Sequence, residues 1–370
     1  MGNNNVTNGV AMKFGKLWLS TVVDIEIIGV KAFVNSVPAT VASGSIGLFY
    51  DTDISGGGGM VDWQRINASF FEDALSFGVD ASTSSASLTY SASHRIVSCQ
   101  GSYSDKGLRI REGMSSVKVE GGFFEHNSVC DIQVSDSAEN VQINKPHCAS
   151  NYASLTGNMM LGAPSGTAGQ KAVYGCVVNG INVPLPNVAA VRKYPEAEDI
   201  IFNQPLIGSA GGKGFIVDTT EGAEMSIYGP IWGRHQSSDL FFTNWVVDTS
   251  NADSRHLLKD CDFGRNDIAG DLNMSSWRYV PTKILLDTLS ADRTVTLPTN
   301  TSEWKGKTTI SKMFAANDVI IDAGAGNTIS TPGTSAQTYT ISGGASTELK
   351  NITIEPKDIN SNAWYSTNEN

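Results

Sequence analysis

Charged side chains are scarce in this sequence, at 17% of its 370 residues, whereas soluble proteins average about 25%. The 26 lysines and arginines are outnumbered by 37 aspartates and glutamates, which gives a net charge of -11 at pH 7. A chain so poor in basic residues lacks the positive surface that binds a phosphate backbone. We therefore expect no nucleic-acid partner.

Cysteine is also rare, and its five copies form no metal-binding pattern. They are Cys99, Cys130, Cys148, Cys176 and Cys261, without a CxxC motif or zinc-finger spacing. We therefore expect reduced, buried thiols, and we predict no metal site and no cofactor. His147 and Cys148 are consecutive, so a strand would direct them to opposite faces, which argues against a Cys-His catalytic pair.

Long apolar runs and processing signals are missing as well. No window of 18 apolar residues occurs, so we predict no membrane span. The first residues, MGNNN, lack the basic and apolar regions of a secretory signal, and Val6 stands where N-myristoylation needs Ser or Thr. A P-loop, a zinc motif and a nucleophile elbow are also absent from the sequence.

The missing charge is replaced by small residues, with 37 glycines and many Ser, Thr and Asn, which is typical of strands and turns. From about residue 81 to residue 280 the sequence repeats loosely. One constant offset aligns Leu108–Glu112 with Ile132–Asp136, and Val117–Val119 with Val141–Ile143. This period indicates stacked repeats of short strands.

A second pattern ends in proline and marks one corner of each repeat. It comprises Ile143–Pro146, Ile181–Pro184, Phe202–Pro205 and Ile227–Pro230. Counted from Gly122 to each successive proline, the spacings are 24, 38, 21 and 25. We interpret Leu155–Gln170 as an inserted loop that accounts for the long spacing.

These repeats predict an all-β fold, with a right-handed parallel β-helix over residues 66–280. Ser69 and Glu72 fit a capping box, which predicts a short helix over residues 70–77 that covers the first repeat. Residues 1–65 are assigned to a β-rich attachment or lead-in region. After residue 281, short strands recur about every ten residues, which predicts a small antiparallel β-sandwich over residues 281–370.

The C-terminal region carries a family resemblance. Its motifs are Asp292–Pro298, Gly306–Ile310, Asp322–Ile329 and Trp364–Tyr365. They resemble the β-sandwich that ends many phage receptor-binding proteins, and the repeats before it resemble tailspike shafts. Over about residues 81–370 the chain is thus similar to bacteriophage tailspike and tail fibre proteins, although the Gly-rich opening usual in that family is missing.

The resemblance implies a homotrimer at the virion tail, assembled in the host cytoplasm and acting extracellularly. It also implies two partners: another tail or baseplate component, and a bacterial surface polysaccharide such as capsule or lipopolysaccharide O-antigen. Binding of that glycan during host attachment is the function we expect first.

A polysaccharide depolymerase of the same architecture is the alternative, and its chemistry would rest on carboxylates. Glu112 and Asp136 are one period apart, so stacking would bring them about 5 Å apart, the separation of the acid and nucleophile in a retaining glycosidase. They are the candidate catalytic pair. Both also lie in polar turns, where a carboxylate is commonly just solvated.

A glycan platform is predicted later in the chain. The set combines aromatic rings with polar side chains and comprises Trp232, Arg234, His235, Asp239 and Trp245. Trp232 follows the Pro230 corner, so a place in the core or in a trimer interface is the competing interpretation. A cellular pectinase-like enzyme is a third possibility, which the C-terminal motifs disfavour.

One further group, Glu125, His126 and Asn127, follows the Gly122 corner. Asn127 is one period from Asn151, which predicts an amide ladder, and we interpret His126 as a surface or turn residue.

Overall fold

The structure is a computed structural model. It describes residues 9–29, 41–52, 58–79, 90–162, 173–194, 197–208, 213–217, 225–229, 231–232, 246–248, 256–259, 271–273, 283–286, 291–297, 308–312, 317–324, 326–331, 334–342, 351–356 and 363–369. Within these residues the chain is all-β, with 38 strands and no helix. The described residues accordingly contain no helix long and apolar enough to cross a membrane.

The first strands are β1 (Val10–Gly15), β2 (Trp18–Ile28), β3 (Ile46–Asp51), β4 (Gly59–Ser69), β5 (Asp73–Phe77), β6 (Ser91–Ala92), β7 (Arg95–Val97), β8 (Gln100–Ser102), β9 (Lys106–Ile110), β10 (Met114–Ser115), β11 (Lys118–Glu120), β12 (Phe123–Glu125) and β13 (Cys130–Val134). They are followed by β14 (Gln142–Asn144), β15 (His147–Cys148), β16 (Met159–Leu161), β17 (Val173–Tyr174), β18 (Val177–Asn179), β19 (Asn182–Val183), β20 (Ala189–Lys193), β21 (Ala197–Glu198), β22 (Ile200–Asn203), β23 (Leu206–Ile207), β24 (Lys213–Val217), β25 (Met225–Tyr228), β26 (Ile231–Trp232) and β27 (Val246–Asp248). The last are β28 (His256–Lys259), β29 (Leu272–Asn273), β30 (Lys283–Leu286), β31 (Arg293–Thr296), β32 (Thr308–Lys312), β33 (Val319–Asp322), β34 (Thr328–Thr331), β35 (Thr334–Ala336), β36 (Thr338–Ile341), β37 (Asn351–Pro356) and β38 (Ala363–Glu369).

The chain divides into two compact units. The first comprises Met1–Met225 and Asn244–Ser254, and the second comprises Ser226–Thr243 and Arg255–Asn370.

Parallel pairing organises the first unit. Nine strands form one sheet, called sheet A, in the order β1-β3-β5-β9-β13-β16-β20-β24-β27. Between successive sheet A strands the chain adds short strands to a second parallel sheet, called sheet B. One sheet A strand and the sheet B strands that follow it make one repeat unit. The constant offset predicted from the sequence is confirmed, since Ile132 pairs with Leu108 and Ile143 with Val119.

Apolar rows between the two sheets form the core. The sheet A row is buried completely and comprises Leu48, Leu75, Leu108, Ile132, Met159, Val191 and Phe215. A sheet B row is equally buried and comprises Trp63, Ile96, Val119, Ile143, Val178 and Phe202. The two sheets meet edge-to-face at Trp63 with Phe77, 5.2 Å between ring centroids, and at Phe202 with Phe215, 5.1 Å. Each such side chain stabilises the fold by about 1.5–3 kcal/mol through burial.

Left-handed corners recur at the same position of successive repeat units. One corner column has φ between 48° and 68° and comprises Asp24, Arg65, Ser98, Gly121, Lys145, Gly180 and Gln204. The pairing of the preceding residues places these seven in register. Because one left-handed residue turns the chain sharply, the column fixes where each repeat unit bends.

The prediction of a helix over residues 70–77 is wrong. Phe70 has a φ of 69°, and Asp73–Phe77 is a strand paired on both sides, with β3 and β9. Glu72 forms no capping box, because its Oε2 accepts a hydrogen bond from the backbone N of Gly44 at 2.5 Å. Pairing on both sides of sheet A outweighs the local helix signal.

The proline pattern is also corrected by the observed register. Val178 and Asn179, not Ile181 and Asn182, pair with Ile143 and Asn144. The alignment through Pro184 is therefore wrong by three positions. Leu155–Gln170 is not one inserted loop either, since it contains β16, which pairs with β13 and β20.

Strands before residue 66 belong to the same two sheets as the later repeats. β1 pairs with β3 in sheet A, and β2 pairs with β4 in sheet B. The expected boundary between residues 65 and 66 falls inside β4.

The second unit is mixed, not antiparallel as predicted. β29, β31 and β33 pair in parallel, as do β30 and β32. Antiparallel pairs are concentrated towards the end of the chain, between β33 and β36, β32 and β37, and β37 and β38. The short spacing between strands suggested antiparallel hairpins. Consecutive strands from β29 to β33 instead alternate between two sheets, so parallel partners lie two strands apart.

Candidate functional site

Glu112 and Asp136, the candidate catalytic pair, follow β9 and β13 at matching positions, because Ile110 pairs with Val134. They are only 5% and 6% exposed. Asp136 accepts a hydrogen bond from Ser135 Oγ at 3.0 Å, and the backbone oxygen of Glu112 accepts one from Thr52 Oγ1 at 2.8 Å. The structure thus brings the pair onto neighbouring repeat units, and their catalytic role stays a prediction.

A group of paired charges lies on β5 and β9 of sheet A. Arg109 Nη1 contacts Asp73 Oδ2 at 2.8 Å, and Lys106 Nζ contacts Asp73 Oδ1 at 3.2 Å. Burial alone would raise the pKa of Asp73, but the positive charges of Arg109, Lys106 and Arg111 outweigh it and lower that pKa to about 2. Asp73 is therefore ionised at neutral pH and holds the basic side chains in place.

Ser91 and His94 are in contact inside the first unit, but His94 does not activate Ser91 as a nucleophile. Ser91 Oγ lies 2.7 Å from His94 Nε2, and both residues are 1% exposed. Trp63 Nε1 donates to His94 Nδ1 at 3.1 Å, so the neutral ring carries its proton on Nε2. That nitrogen donates to Ser91 and does not accept its proton, as a catalytic base must.

The predicted platform around Trp232 lies largely beyond the described residues. The backbone of Trp232 belongs to β26. Arg234, His235, Asp239 and Trp245 lie outside the part of the chain that the structure describes. The role of this set as a glycan platform stays a prediction.

An accessible, ordered row of side chains lies on sheet B, where sequence reasoning did not place a site. It follows one position through six consecutive repeat units and comprises Asn67, Gln100, Phe123, His147, Asn182 and Leu206. We call it the outer row. All six residues are at least partly exposed, and Phe123 is 58% exposed. Neighbouring members are one strand spacing apart, about 4.8 Å.

Contacts along the outer row orient its polar groups. The rings of Phe123 and His147 lie 5.5 Å apart with their planes tilted by 58°. Asn182 Nδ2 lies 3.1 Å from His147 Nδ1 and donates to it, which leaves the ring proton on Nε2. Gln100 Nε2 donates to Ser102 Oγ at 3.3 Å, so its Oε1 can serve as an acceptor.

A column of aromatic rings borders the outer row at the next corner. Phe70 stacks on Tyr103 at 5.4 Å and Tyr103 on His126 at 4.7 Å, with nearly parallel planes. Tyr152 adds a hydroxyl 3.3 Å from His126 Nδ1. Because the faces of these rings pack on each other, the column stabilises the corner. Phe123 is more exposed than Tyr103, at 58% against 37%.

The predicted amide ladder at Asn127 is absent from this corner. Asn127 is fully buried, and its Nδ2 donates to Asp131 Oδ1 at 2.9 Å, whereas Asn151 is exposed. His126 lies at a left-handed corner, with a φ of 58°, and is partly exposed, in agreement with its interpretation as a turn residue.

The chemistry of the outer row suits flat polar molecules with apolar faces. An exposed aromatic ring packs on C–H groups, and neighbouring amide and imidazole groups donate hydrogen bonds to hydroxyl groups or accept them. The signal was present in the sequence, because the constant offset that aligns Gly122 with Pro146 also aligns Phe123 with His147. Asn182 and Leu206 were missed because of the shifted alignment at Pro184.

No protein-family model, no curated protein and no solved structure matches this chain. Its own residues are therefore the basis on which its function is inferred.

Proposed function

We propose that this chain is a bacteriophage tailspike or tail fibre protein that binds a bacterial surface polysaccharide during host attachment. The observation that carries the proposal is the outer row, in which exposed Phe123 lies between the planar polar side chains of Gln100 and His147 on a parallel sheet. The six members are fixed by parallel pairing, so a repeating ligand meets side chains at a regular spacing.

We infer that the first unit is a right-handed parallel β-helix and that three copies assemble into a homotrimer at the virion tail. The pairings described between sheet A strands are all parallel, and one corner recurs through seven repeat units. The C-terminal motifs quoted above support the same class of protein. A rigid shaft displayed outside the virion suits contact with capsule or O-antigen.

Binding is tested with the purified full-length chain on a panel of capsule and O-antigen polysaccharides. We expect at least one of them to bind, and Phe123→Ala to weaken that binding about tenfold or more, because a well-packed aromatic contact is worth about 1.5 kcal/mol or more. Tyr174→Ala is the matched control, since Tyr174 is 44% exposed on β17, away from the outer row. A panel without any binding contradicts the proposal.

Assembly is tested separately by light scattering. The expected mass is three times the 39.4 kDa of one chain. A monomeric mass contradicts the trimer and the tailspike architecture with it.

A depolymerase is the second candidate, and the register of Glu112 with Asp136 favours it. Adjacent parallel strands lie about 4.8 Å apart, close to the carboxyl separation of about 5–5.5 Å in retaining glycosidases. Incubation with a bound polysaccharide should then release oligosaccharides, and Glu112→Gln or Asp136→Asn should abolish the release. Binding without release by the unmodified chain contradicts the enzyme.

A further inference from the structure

We propose that the outer row selects an uncharged glycan and holds it lengthwise across the strands, with Phe123 as the stacking residue. This proposal rests on the function proposed above and names the ligand class and its direction. Three properties of the row support it: its charge, its donors and acceptors, and its spacing.

The charge of the outer row excludes a polyanion as its natural ligand. Its six members carry no Lys, Arg, Asp or Glu. In the preceding repeat unit the same position holds exposed Glu26, which pairs with Asn67. Beside the row, exposed Lys145 lies at the corner before His147, and partly exposed Glu125 follows Phe123 on the same strand. Lys145 and Glu125 balance each other, and the two other charged corner residues, Arg65 and Asp24, are paired at 2.6 Å. The carboxylate of Glu26 leaves this surface with a negative excess, which repels a polyanion. A polyanionic glycan needs an excess of cations, which this surface lacks.

The hydrogen-bonding groups of the row match hydroxyl-rich neutral sugars. Amide side chains both donate and accept, as a hydroxyl does. Gln100 lies on one side of Phe123 and His147 on the other, with Asn182 next. Since Nδ1 of His147 is occupied by Asn182, its Nε2 remains as the donor towards a ligand.

Spacing favours a chain that runs along the row. Consecutive members are about 4.8 Å apart, comparable to the advance of a glycan chain per sugar ring. A ring on Phe123 therefore places its neighbours beside Gln100 and His147. Affinity should consequently grow with oligosaccharide length until the ligand covers the row.

The test compares neutral and anionic probes on the full-length chain. Dextran, laminarin and chitohexaose serve as neutral probes, and polygalacturonate, hyaluronan and polysialic acid as anionic probes, at low and high NaCl. We expect at least one neutral probe to bind with the same affinity at both salt concentrations. Phe123→Ala should weaken that binding about tenfold or more, and Gln100→Ala and Asn182→Ala several-fold, whereas Tyr174→Ala should leave it unchanged.

Length dependence tests whether the glycan runs along the row, and the thermal midpoint tests whether the variant is folded. Di-, tetra- and hexasaccharides of the bound neutral glycan should bind with increasing affinity to the unmodified chain and with equal, weak affinity to Phe123→Ala. The thermal midpoint of Phe123→Ala should match that of the unmodified chain, because the ring is largely exposed.

Each failure has its own signature. Salt-sensitive binding of anionic probes alone, unaffected by Phe123→Ala, overturns this inference and leaves glycan binding intact. Binding of a neutral probe with an affinity that Phe123→Ala, Gln100→Ala and Asn182→Ala all leave unchanged also overturns it. Absence of binding to these probes and to the surface-polysaccharide panel overturns the proposed function together with the inference.

Discussion

Individual buried polar residues hold the first unit at specific points, and Asp131 is the clearest of them. Its carboxylate is fully buried and accepts from Asn158 Nδ2 at 2.8 Å, from the backbone N of Ser150 at 3.2 Å, from Ser150 Oγ and from Asn127 Nδ2. Burial raises the pKa of Asp131 to about 6, although these hydrogen bonds oppose the shift. The side chain thus ties a corner to two segments that follow it.

Removing this acceptor should be costly. We expect Asp131→Ala to lower the free energy of unfolding by about 3–5 kcal/mol, because several buried donors lose their partner. Urea titration measures the loss at pH 7. Asn151→Ala, an exposed change near the same corner, should stay within about 0.5 kcal/mol, and an equal effect of the two substitutions would contradict the role of Asp131.

His94 makes stability depend on pH. Burial lowers its pKa to about 4, against 6.5 for the free side chain. Between these pH values the His94 side chain binds a proton in the unfolded chain but not in the folded chain. The contribution of His94 to stability is therefore lost as pH falls from about 6.5 to 4. The full loss is about 3 kcal/mol.

The prediction is measured as the thermal midpoint at pH 7, 5.5 and 4.5. The unmodified chain should lose more stability on acidification than His94→Gln, whose amide oxygen can still accept from Trp63. Asp131 changes stability in the opposite direction over pH 6 to 4, since its raised pKa favours protonation of the folded chain, but it acts equally in both proteins. Parallel pH profiles would refute the assignment to His94.

At the scale of elements, the corners decide where each repeat unit bends. Gly121 and Gly122 are adjacent and both have positive φ, 68° and 104°. A Cβ on Gly122 would lie 2.7 Å from the carbonyl oxygen of Cys99, whereas one on Gly121 meets nothing nearer than 4.0 Å. The two glycines therefore serve different purposes, namely close packing at Gly122 and backbone freedom alone at Gly121.

This contrast gives a matched pair of variants. We expect Gly121→Ala to cost about 1 kcal/mol, the penalty of a left-handed L-residue, and Gly122→Ala to cost about 3 kcal/mol through clash and strain together. Unfolding in urea measures both. Equal losses would show that the approach of the Cys99 carbonyl does not constrain this corner.

At the scale of the whole molecule, the reactivity of free thiols measures how often the repeat units separate from each other. Cys99, Cys130, Cys148 and Cys176 are free and buried. Burial raises the pKa of both Cys130 and Cys176 to about 12. Such thiols are neutral and shielded, so they react slowly.

Titration with a thiol reagent at pH 8 should leave these four cysteines unmodified in the native chain. All five should react in denaturant. Cys261→Ser removes the remaining thiol, so that any native signal in this variant comes from the four buried ones. Rapid native reaction of two or more of them would contradict the tight stacking of the first unit.

The sequence predicted the larger features of the fold where its signal repeats. The constant offset is visible between Leu108 and Ile132 and holds in the pairing. It does not hold after Asn144, whose partner in the next repeat unit is Asn179, 35 residues further on. The proline pattern had aligned Asn144 with Asn182 instead. Proline is permitted near a corner but not required there. Aligning Pro184 with Pro146 therefore missed the true corner of this repeat unit, which is Gly180.

Local signals misled where long-range pairing opposed them. Residues 70–77 have a helix capping pattern, yet strands on both sides recruit Asp73–Phe77 into sheet A. The short spacing of the strands after residue 281 suggested antiparallel pairing, but consecutive strands from β29 to β33 lie in alternate sheets and pair with the strand two positions further on. Pairing partners distant in sequence leave little trace in the segment itself.

The sequence by itself determined the strand-rich composition, the repeat, the buried thiols and the lack of a basic surface, since these follow from residue types and their periodicity. Only the tertiary structure decided which residues share a face. The outer row from Asn67 to Leu206 and the four contacts of Asp131 depend on register between repeat units, and an error of one residue moves every side chain of a strand to the opposite face.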